Sequence, residues 1–396
     1  MTKGFVFSDR TSWPLDGNDI SQMLDRLLKA GCDVINLTES NPTLCGLTVP
    51  QELLLKPLHK KENLLYHPSP KGLEDARKTI ASYYCEKGVD ISPEQIVLTS
   101  STSEAYSYLF RLVANYGDHV LFPTPSYPLF TFLTDLNDIK MNYYELIYDD
   151  FWRIDFESLE EAIDRKTKAI VVVNPNNPTG SFIKREEMDR LNAYCQENRL
   201  AIISDEVFGD FPVVEREDAA SFLNNAKTLS FVLGGISKTL GLPQMKLSWI
   251  IVSGPQGEVD ASLDRLEVIA DTYLSMTTPT QNALGDWFSH RKEIQDAIRA
   301  RLKENFGFLD RSLENSGVGE LLTLEGGWYG IVKVIPSFSE EEFVLNLLKN
   351  DHTFVHPGYF FDFKTEGFLV VSLLTESKRF QEGVSRLVKR LKALAV

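Results

Sequence analysis

The sequence contains few cysteines and no long apolar run. Its four cysteines are scattered, with neither a CxxC pair nor a histidine at ligand spacing: Cys32, Cys45, Cys85 and Cys195. This pattern argues against a disulfide framework and against a metal site. No apolar run approaches the roughly 20 residues that cross a bilayer, and the N-terminal stretch MTKGFVFSDR lacks the apolar core of a secretory signal. We therefore expect a cytoplasmic protein with reduced thiols and no membrane partner.

Positive charge is also scarce. Lys and Arg total 41 against 56 Asp and Glu, which gives a formal net charge of −15. A surface this acidic repels nucleic acid, so we expect no nucleic-acid partner. What the sequence does provide is a length of 396 residues and a hydrophobic fraction of 43%. Both are sufficient for two domains with substantial cores.

The middle of the chain, from about residue 95 to 255, alternates short β-branched runs with amphipathic stretches. Short apolar runs between helical segments are typical of strands that are buried on both faces of a mostly parallel sheet. We therefore predict an α/β layer with helices on both faces of the sheet. The predicted strands are Ile96–Leu98, His119–Phe122, Ala169–Val173, Ala201–Ser204, Thr228–Val232 and Ser248–Val252.

The two ends of the chain have a different pattern. Residues 18–31 and 286–315 have helical periodicity, and two strand–helix pairs follow towards the C terminus. This pattern predicts a small α+β domain formed by residues 1–44 and 286–396. The small domain would pack on a large domain of residues 45–285.

Three polar groups follow predicted parallel strands directly. The motif NPNNPTG (174–180) follows one strand, Asp205 ends the next, and Lys238 comes shortly after a third. Because open α/β sheets bind ligands at the carboxyl ends of their strands, we expect an amide, an acid and a lysine to meet in one crevice. A turn, a helix cap and a solvated cation would explain each group alone. They do not explain all three in this order and spacing.

The set resembles the class I and II aminotransferases of pyridoxal 5′-phosphate (PLP) fold type I. The motifs are NLTESNPT (36–43), the segment Tyr66–Gly72, TSSTSEA (99–105), PTPSYP (123–128), NPTG (177–180), SDEVF (204–208), SKTLGLPQMK (237–246) and HPGYFF (356–361). The resemblance covers nearly the whole chain, and NPTG, SDE and SK in register are its most specific part. It implies an α/β fold with a mostly parallel, seven-stranded sheet flanked by helices. It also implies an enzyme that moves an amino group between an amino acid and a 2-oxo acid.

The resemblance assigns a role to each residue of the crevice. Lys238 would form a Schiff base with PLP, and burial would lower its pKa as this chemistry requires. Asp205 would keep the ring nitrogen protonated, and Asn177 would bind the ring 3-oxygen. Tyr127 would stack on the face of the ring, which contributes about 0.5–1.5 kcal/mol.

The cofactor phosphate would be bound by a second group of residues. The predicted residues are Ser101, Thr102, Ser103, Ser237, Lys246 and, from the other subunit, Tyr66. The first three precede a predicted helix, whose N-terminal amides and hydroxyls form an anion site, although they could equally cap that helix. A tyrosine delivered across a subunit boundary implies a homodimer with shared active sites.

Four positions depart from the family pattern. Ser40 replaces a glycine, Lys246 replaces the phosphate-binding arginine, and Phe208 replaces a tyrosine that would bind the 3-oxygen. Lysine supplies charge without the bidentate fork of arginine. Val370 stands where the family has the arginine that binds the substrate α-carboxylate.

An α-carboxylate without a cation would carry a heavy desolvation cost. We consider Lys71, in the Tyr66–Gly72 segment, and Arg10, near Trp13, as the replacement cation. Ser40 is a further substrate-binding candidate. Both cations could equally be solvated surface groups. The same cofactor residues also serve β-lyases and decarboxylases, and a regulatory protein could retain the scaffold, so these alternatives remain open at this stage.

Overall fold

Helices and strands alternate through most of the computed structural model, which describes residues 5–214, 216–274, 276–334 and 339–394. The helices are α1 (Asp19–Lys29), α2 (Gln51–Leu55), α3 (Glu74–Glu86), α4 (Thr102–Val113), α5 (Phe130–Leu136), α6 (Phe156–Ala162), α7 (Arg185–Asn198), α8 (Ile236–Thr239), α9 (Gln256–Tyr273), α10 (Thr278–Ser289), α11 (Arg291–Glu314), α12 (Glu340–Asp351) and α13 (Ser377–Leu394). The strands are β1 (Ile35–Asn36), β2 (Ile96–Thr99), β3 (His119–Thr124), β4 (Lys140–Asp149), β5 (Phe151–Ile154), β6 (Thr167–Val173), β7 (Ala201–Asp205), β8 (Ser230–Gly235), β9 (Ser248–Ser253), β10 (Gly319–Leu321), β11 (Tyr329–Val334), β12 (Thr353–Phe354), β13 (His356–Pro357) and β14 (Phe368–Ser372).

The largest sheet has the strand order β2-β9-β8-β7-β6-β3-β4-β5. Strands β8, β7, β6, β3 and β4 are parallel, β9 is antiparallel to both of its neighbours, and β5 forms an antiparallel hairpin with β4. The mostly parallel sheet is confirmed, but the predicted number of seven strands was wrong, because the described chain places eight in this sheet. The hairpin lies at the edge of the sheet, and β4 is only partly buried along its length. Because an edge strand does not need apolar residues at every position, β4 has a mixed polar sequence and lacks the continuous apolar run of a central strand.

The central strands are buried on both faces. Ile170 and Val172 of β6 pack into one apolar cluster, whereas Val171 and Val173 pack into another on the opposite face. Alternate side chains of a strand point to opposite faces, so a strand between two layers needs apolar residues at every position. Burial of each such side chain contributes about 1.5–3 kcal/mol.

Strand β8 begins two residues later than predicted and continues through Gly234 and Gly235. A Cβ atom at Gly234 would lie 2.5 Å from the indole ring of Trp249, and one at Gly235 would lie 2.5 Å from Ser248 Oγ. These glycines therefore allow β8 to pair closely with β9 as far as the start of α8. The two glycines end β8, and Lys238 lies in α8, which follows directly.

The two ends of the chain pack against each other. Strand β1 pairs in parallel with β12 through Ile35 and Thr353, and a separate antiparallel sheet has the order β10-β11-β14-β13. The predicted helix over residues 286–315 is instead divided between α10 and α11, because His290 between them leaves helical geometry (φ −99°, ψ 6°). In the described part of the chain, no helix combines the length and the apolar character needed to cross a bilayer.

Candidate active site

Three loops at the carboxyl edge of the central sheet bring the predicted catalytic residues together. The loop after β6 carries Asn177, β7 ends at Asp205, and β8 leads into α8, which contains Lys238. Backbone hydrogen bonds continue beyond the strands: Asn174 N–H donates to the Asp205 carbonyl at 2.8 Å, and Glu206 N–H donates to the Leu233 carbonyl at 3.0 Å. The three segments therefore start from fixed neighbouring positions, consistent with the expectation that groups directly after parallel strands meet at one edge of the sheet.

Asp205 is a carboxylate with few polar neighbours. Its Oδ2 accepts a hydrogen bond from the Tyr106 hydroxyl at 3.2 Å, and its Oδ1 accepts one from Val207 N–H at 3.3 Å. Burial raises the pKa of Asp205 to about 6, although these two hydrogen bonds and the nearby charge of Lys238 act in the opposite direction. Asp205 is therefore mostly ionised at neutral pH and gains stabilisation from any positive group placed against it.

Lys238 faces aromatic rings. Its Nζ lies 4.6 Å from the ring centroid of Trp328 and 5.2 Å from that of Phe208. Burial lowers the pKa of Lys238 to about 8, and the negative charge of Asp205 opposes this shift. At pH 7 about a tenth of the lysine is consequently uncharged, compared with less than about a thousandth of an ordinary lysine. An uncharged amine is the form that reacts with an aldehyde.

Asn177 is buried, with 8% of its surface exposed. Its Oδ1 has no hydrogen-bond partner among the described residues, and the same is true of Ser126 Oγ. Buried polar side-chain atoms are nearly always hydrogen-bonded. A ligand that donates hydrogen bonds would satisfy both atoms.

Tyr127 and Phe208 differ in exposure. Tyr127 is 40% exposed, and its ring contacts Phe130 edge-on, with 6.3 Å between centroids. Phe208 is buried, and its ring packs edge-on against Trp328 and Tyr329. Tyr127 thus has an open ring face, whereas Phe208 forms part of the aromatic wall beside Lys238.

The predicted phosphate-binding segment lies at the N terminus of α4. Ser101 caps this helix, because its Oγ accepts a hydrogen bond from Glu104 N–H at 3.1 Å. Thr102 is partly buried, and Ser103 is exposed at the helix surface. The capping role that the sequence left open is therefore present for Ser101, and its hydroxyl hydrogen remains a donor. Ser237 is partly buried at the start of α8.

The remaining candidates lie in less enclosed surroundings. Lys246 is exposed and adopts a left-handed backbone (φ +50°), and Tyr66 is 73% exposed. Lys71 Nζ forms an ion pair with Glu94 Oε2 at 2.7 Å. These residues are not brought into the cluster around Lys238 by hydrogen bonds within the described chain.

The N-terminal segment is attached to α5. Arg10 Nε donates to Asp138 Oδ1 at 2.7 Å, and its Nη2 donates to Asp138 Oδ2 at 2.5 Å. Trp13 Nε1 donates to Asp135 at 2.7 Å. The charge of Arg10 is therefore already neutralised by a bidentate partner, an arrangement that holds guanidinium groups firmly.

Val370 is fully buried in β14 and pairs with Ile331 and His356 of the neighbouring strands. Its side chain belongs to an apolar core cluster and cannot bind a carboxylate. Ser40 lies beside Tyr329, and the hydroxyl groups of the two residues share a hydrogen bond. Burial raises the pKa of Tyr329 to about 12. Ser40 is thus linked to the aromatic wall through Tyr329.

The family model for aminotransferase class I and II matches residues 32–387. The chain belongs to this family. It is 26% identical over 377 residues to glutamate-pyruvate aminotransferase of Haemophilus influenzae, with 92% of each chain covered. It is 31% identical over 225 residues to tyrosine aminotransferase of Mus musculus, which is 55% of this chain and 49% of that relative. The solved structure of alanine aminotransferase from Pyrococcus furiosus has 26% identity and a TM-score of 0.88, and the match covers 98% of this chain and 100% of that one.

These matches confirm the resemblance, the PLP fold type I architecture and the predicted activity. The protein is an aminotransferase, and its cofactor is PLP. The residues at the carboxyl edge of the sheet fit this cofactor. Lys238 offers a partly uncharged amine, Asp205 offers a partly buried negative charge, and Asn177 offers a buried side-chain amide, whose NH2 group is the donor that the ring 3-oxygen requires.

Sequence reasoning missed three residues of this aminotransferase site. Trp328 and Tyr329 enter from the start of β11, far along the chain from Lys238. Tyr106 lies on α4, beside Ala105 in the apolar stripe of that helix, and its hydroxyl reaches Asp205. The motif GGWYG before β11 was a visible aromatic signal, but no local pattern of the sequence indicates which strand end it faces.

Proposed function

We propose that Lys238, Asp205 and Asn177 carry the chemistry of this aminotransferase and that the other predicted residues hold the cofactor. The observation that carries the proposal is the pairing of a partly buried lysine of lowered pKa with a partly buried carboxylate at one sheet edge. When bound, PLP supplies a carbonyl group that links covalently to amines and a ring that accepts the electron pair left at the substrate α-carbon.

The residues of the chain have distinct tasks in this proposal. Lys238 Nζ anchors the cofactor and then moves a proton at the substrate α-carbon, for which its partly uncharged state is suited. Asp205 holds the ring nitrogen in its protonated form by charge, and Asn177 fixes the orientation of the ring through its side-chain amide. Tyr127 lies against a ring face, with Phe208 in the aromatic wall beside Lys238. Ser101, Thr102, Ser103, Ser237 and Lys246 bind the phosphate.

We propose glutamate and pyruvate as the first substrate pair to test, because several relatives carry this pair in their names. Incubation of the PLP-loaded protein with both should yield alanine and 2-oxoglutarate in equal amounts, measured by chromatography. A β-lyase would instead release ammonia, and a decarboxylase would release carbon dioxide. Release of ammonia or of carbon dioxide from a panel of amino acids, without formation of a new amino acid, would contradict the proposal.

A homodimer with shared active sites is supported by exposed apolar residues around Tyr66. Leu64, Leu65 and Tyr66 are 85%, 61% and 73% exposed, and Leu274 is 68% exposed. Tyr66 and Leu274 line the same cleft, which also contains Met276. A contiguous exposed apolar surface of this kind marks a site of association between proteins. We propose that a second copy of the chain covers it.

The proposed domain division has support from the apolar clusters. One cluster combines Ile20, Ile35 and Leu37 with many residues from 298 to 391, and a few residues of the large domain, such as Trp152 and Phe211, join it where the two parts meet. The clusters on the two faces of the central sheet draw instead on residues between 76 and 287. We therefore retain residues 45–285 as the large domain, with 1–44 and 286–396 as the small domain. Function in the cytoplasm remains part of the proposal.

Lys71 is our candidate for binding the substrate carboxylate across the dimer. Its carbonyl accepts a hydrogen bond from Leu98 N–H on β2, so the end of the Tyr66–Gly72 segment lies close to the strand that leads to Ser101. We expect Lys71→Ala to raise the KM for amino acids by about tenfold with little change in kcat, because ground-state binding would be lost. Steady-state kinetics at varied amino-acid concentration measures both constants.

Glu94→Gln is the control for Lys71→Ala, because it removes the ion pair of Lys71 from the other side, together with the ion pair that Glu94 forms with Arg77. If Lys71 binds substrate, Glu94→Gln should leave KM unchanged or lower it. If the ion pair has only a structural role, Lys71→Ala should lose a small stability of about 0–1 kcal/mol, and Glu94→Gln should lose more, because it also breaks the ion pair with Arg77. An unchanged kcat/KM in Lys71→Ala for every accepted amino acid would exclude Lys71, and Arg10→Ala would be the next variant.

A further inference from the structure

The hydroxyl group of Tyr106 is aimed at Asp205 by the packing of α4. Tyr106 is 3% exposed, and its ring packs edge-on against Phe130, with 5.3 Å between centroids, and tilted against Phe110 at 5.7 Å. These contacts leave the ring little freedom to turn. The hydroxyl donates to Asp205 Oδ2 at 3.2 Å, so its position is set by the helix and its aromatic neighbours.

We propose that Tyr106 is a positioning residue, which orients the Asp205 carboxylate and preserves its negative charge for the cofactor ring nitrogen. The inference rests on the role of Asp205 under Proposed function. The inference gives α4 a second role, in addition to the phosphate binding that we propose at its N terminus. One helix then contacts both ends of the cofactor-binding site, since Ser101 lies at its start and Tyr106 one turn later.

The surroundings of Asp205 explain why one hydroxyl matters. Val207 N–H donates to its other oxygen at 3.3 Å, Lys238 provides the nearby positive charge, and Glu206 provides a nearby negative charge. Glu206 itself is held by Ser204, Ser221 and the Phe222 backbone amide. Tyr106 is therefore the side-chain donor to Asp205 in the described structure, and Tyr127 is a further phenol close enough to interact with its charge.

The direction of the electrostatic effect follows from these contacts. Burial raises the pKa of Asp205, and the Tyr106 hydrogen bond lowers it. Burial and the charge of Asp205 also raise the pKa of Tyr106 well above its ordinary value, so that its O–H remains a donor. Without the hydroxyl, the pKa of Asp205 moves upwards towards neutral pH. A larger fraction of the carboxyl group is then uncharged and cannot hold a positive ring nitrogen.

The test compares the binding of two ligands to the cofactor-free protein. One is PLP, and the other is its carbocyclic analogue, in which a C–H group replaces the ring nitrogen. At pH 7 we expect Tyr106→Phe to weaken PLP binding by about three- to tenfold, the effect of one hydrogen bond to a charged group. Binding of the analogue should not change. The pH at which PLP affinity declines on the acidic side should also move upwards in the variant.

Two controls separate positioning from general stability. Tyr84→Phe removes another buried hydroxyl, which accepts a hydrogen bond from Trp249 Nε1 at 3.0 Å, and should leave the ratio of the two affinities at its wild-type value. In an Asp205→Asn background, Tyr106→Phe should no longer change that ratio. Tyr106→Met, which also fills the site without a hydroxyl, is the second variant should Tyr106→Phe not fold.

Equal weakening of PLP and of the analogue would overturn the inference, because it would show a structural role alone. An unchanged affinity for both ligands would overturn it as well. If the wild-type protein does not distinguish PLP from the analogue, the role of Asp205 itself fails. If the wild-type protein distinguishes them and Tyr106→Phe does so to the same degree, only the assignment of Tyr106 fails.

Discussion

Lys238→Ala should abolish amino-group transfer, with a loss in kcat of at least about 10³-fold. The substitution removes the amine that we propose anchors the cofactor and moves the proton, and no neighbouring side chain in the described structure offers a second amine beside Trp328 and Phe208. PLP should still bind non-covalently, because the proposed phosphate-binding residues at the start of α4 are separate from Lys238. Activity assays and equilibrium dialysis with PLP measure the two effects.

The matched control is Lys227→Ala, which removes an exposed lysine paired with Asp189. This variant should retain wild-type activity. Borohydride reduction of the wild-type protein should fix the cofactor covalently, and peptide mapping should locate it on Lys238. A label on another lysine, or substantial turnover by Lys238→Ala, would show that the anchoring lysine has been assigned wrongly.

Asp205→Asn should lower kcat by about 10²- to 10³-fold, the range observed when one preorganised electrostatic contact is removed from an active site. Asparagine keeps the shape of aspartate but lacks the negative charge. It also has one acceptor oxygen in place of two, so it accepts from either Tyr106 or Val207, which donate to different oxygens of Asp205. Glu206→Gln is the control, because Glu206 is a neighbouring acid with its own hydrogen-bond partners. Its effect on kcat should stay below about tenfold.

The same substitution should affect the stability of the cofactor-free protein in the opposite direction. The pKa of Asp205 is raised from 3.8 to about 6 in the folded state. The folded protein therefore binds more protons than the unfolded chain between these values, and the contribution of Asp205 to the free energy of unfolding decreases as pH rises through them. At pH 7 Asp205→Asn removes this cost, so thermal unfolding should occur at a higher temperature. A lower unfolding temperature would contradict the proposed burial of charge.

The positions of Lys238, Asp205 and Asn177 could be predicted because they depend on a general property of parallel sheets. Each residue follows a strand, and the carboxyl ends of neighbouring parallel strands share one edge. The hairpin of β4 and β5 could not be predicted in the same way. Its strands lie at the edge of the sheet and carry a mixed polar sequence.

Contacts between distant parts of the chain were also beyond sequence reasoning. Tyr106 and Asp205 are 99 positions apart, and Arg10 and Asp138 are 128 positions apart. No periodicity or motif pairs such residues, because their meeting depends on how complete helices pack. The ion pair of Lys71 with Glu94 was missed for the same reason, although these two residues are only 23 positions apart.

The pairing of β1 with β12 has a consequence for the order of events during synthesis. Ile35 and Thr353, which pair across these strands, are 318 positions apart. Ribosomes add about 5–20 residues per second, so the N-terminal strand waits for its partner for roughly 15–60 seconds. During that interval Ile35 and Leu37, which are fully enclosed in the finished molecule, remain accessible to chaperones and to other nascent chains. The strands of the central sheet lie between residues 96 and 253 and are synthesised earlier, so we expect the two ends of the chain to pair after this sheet has formed.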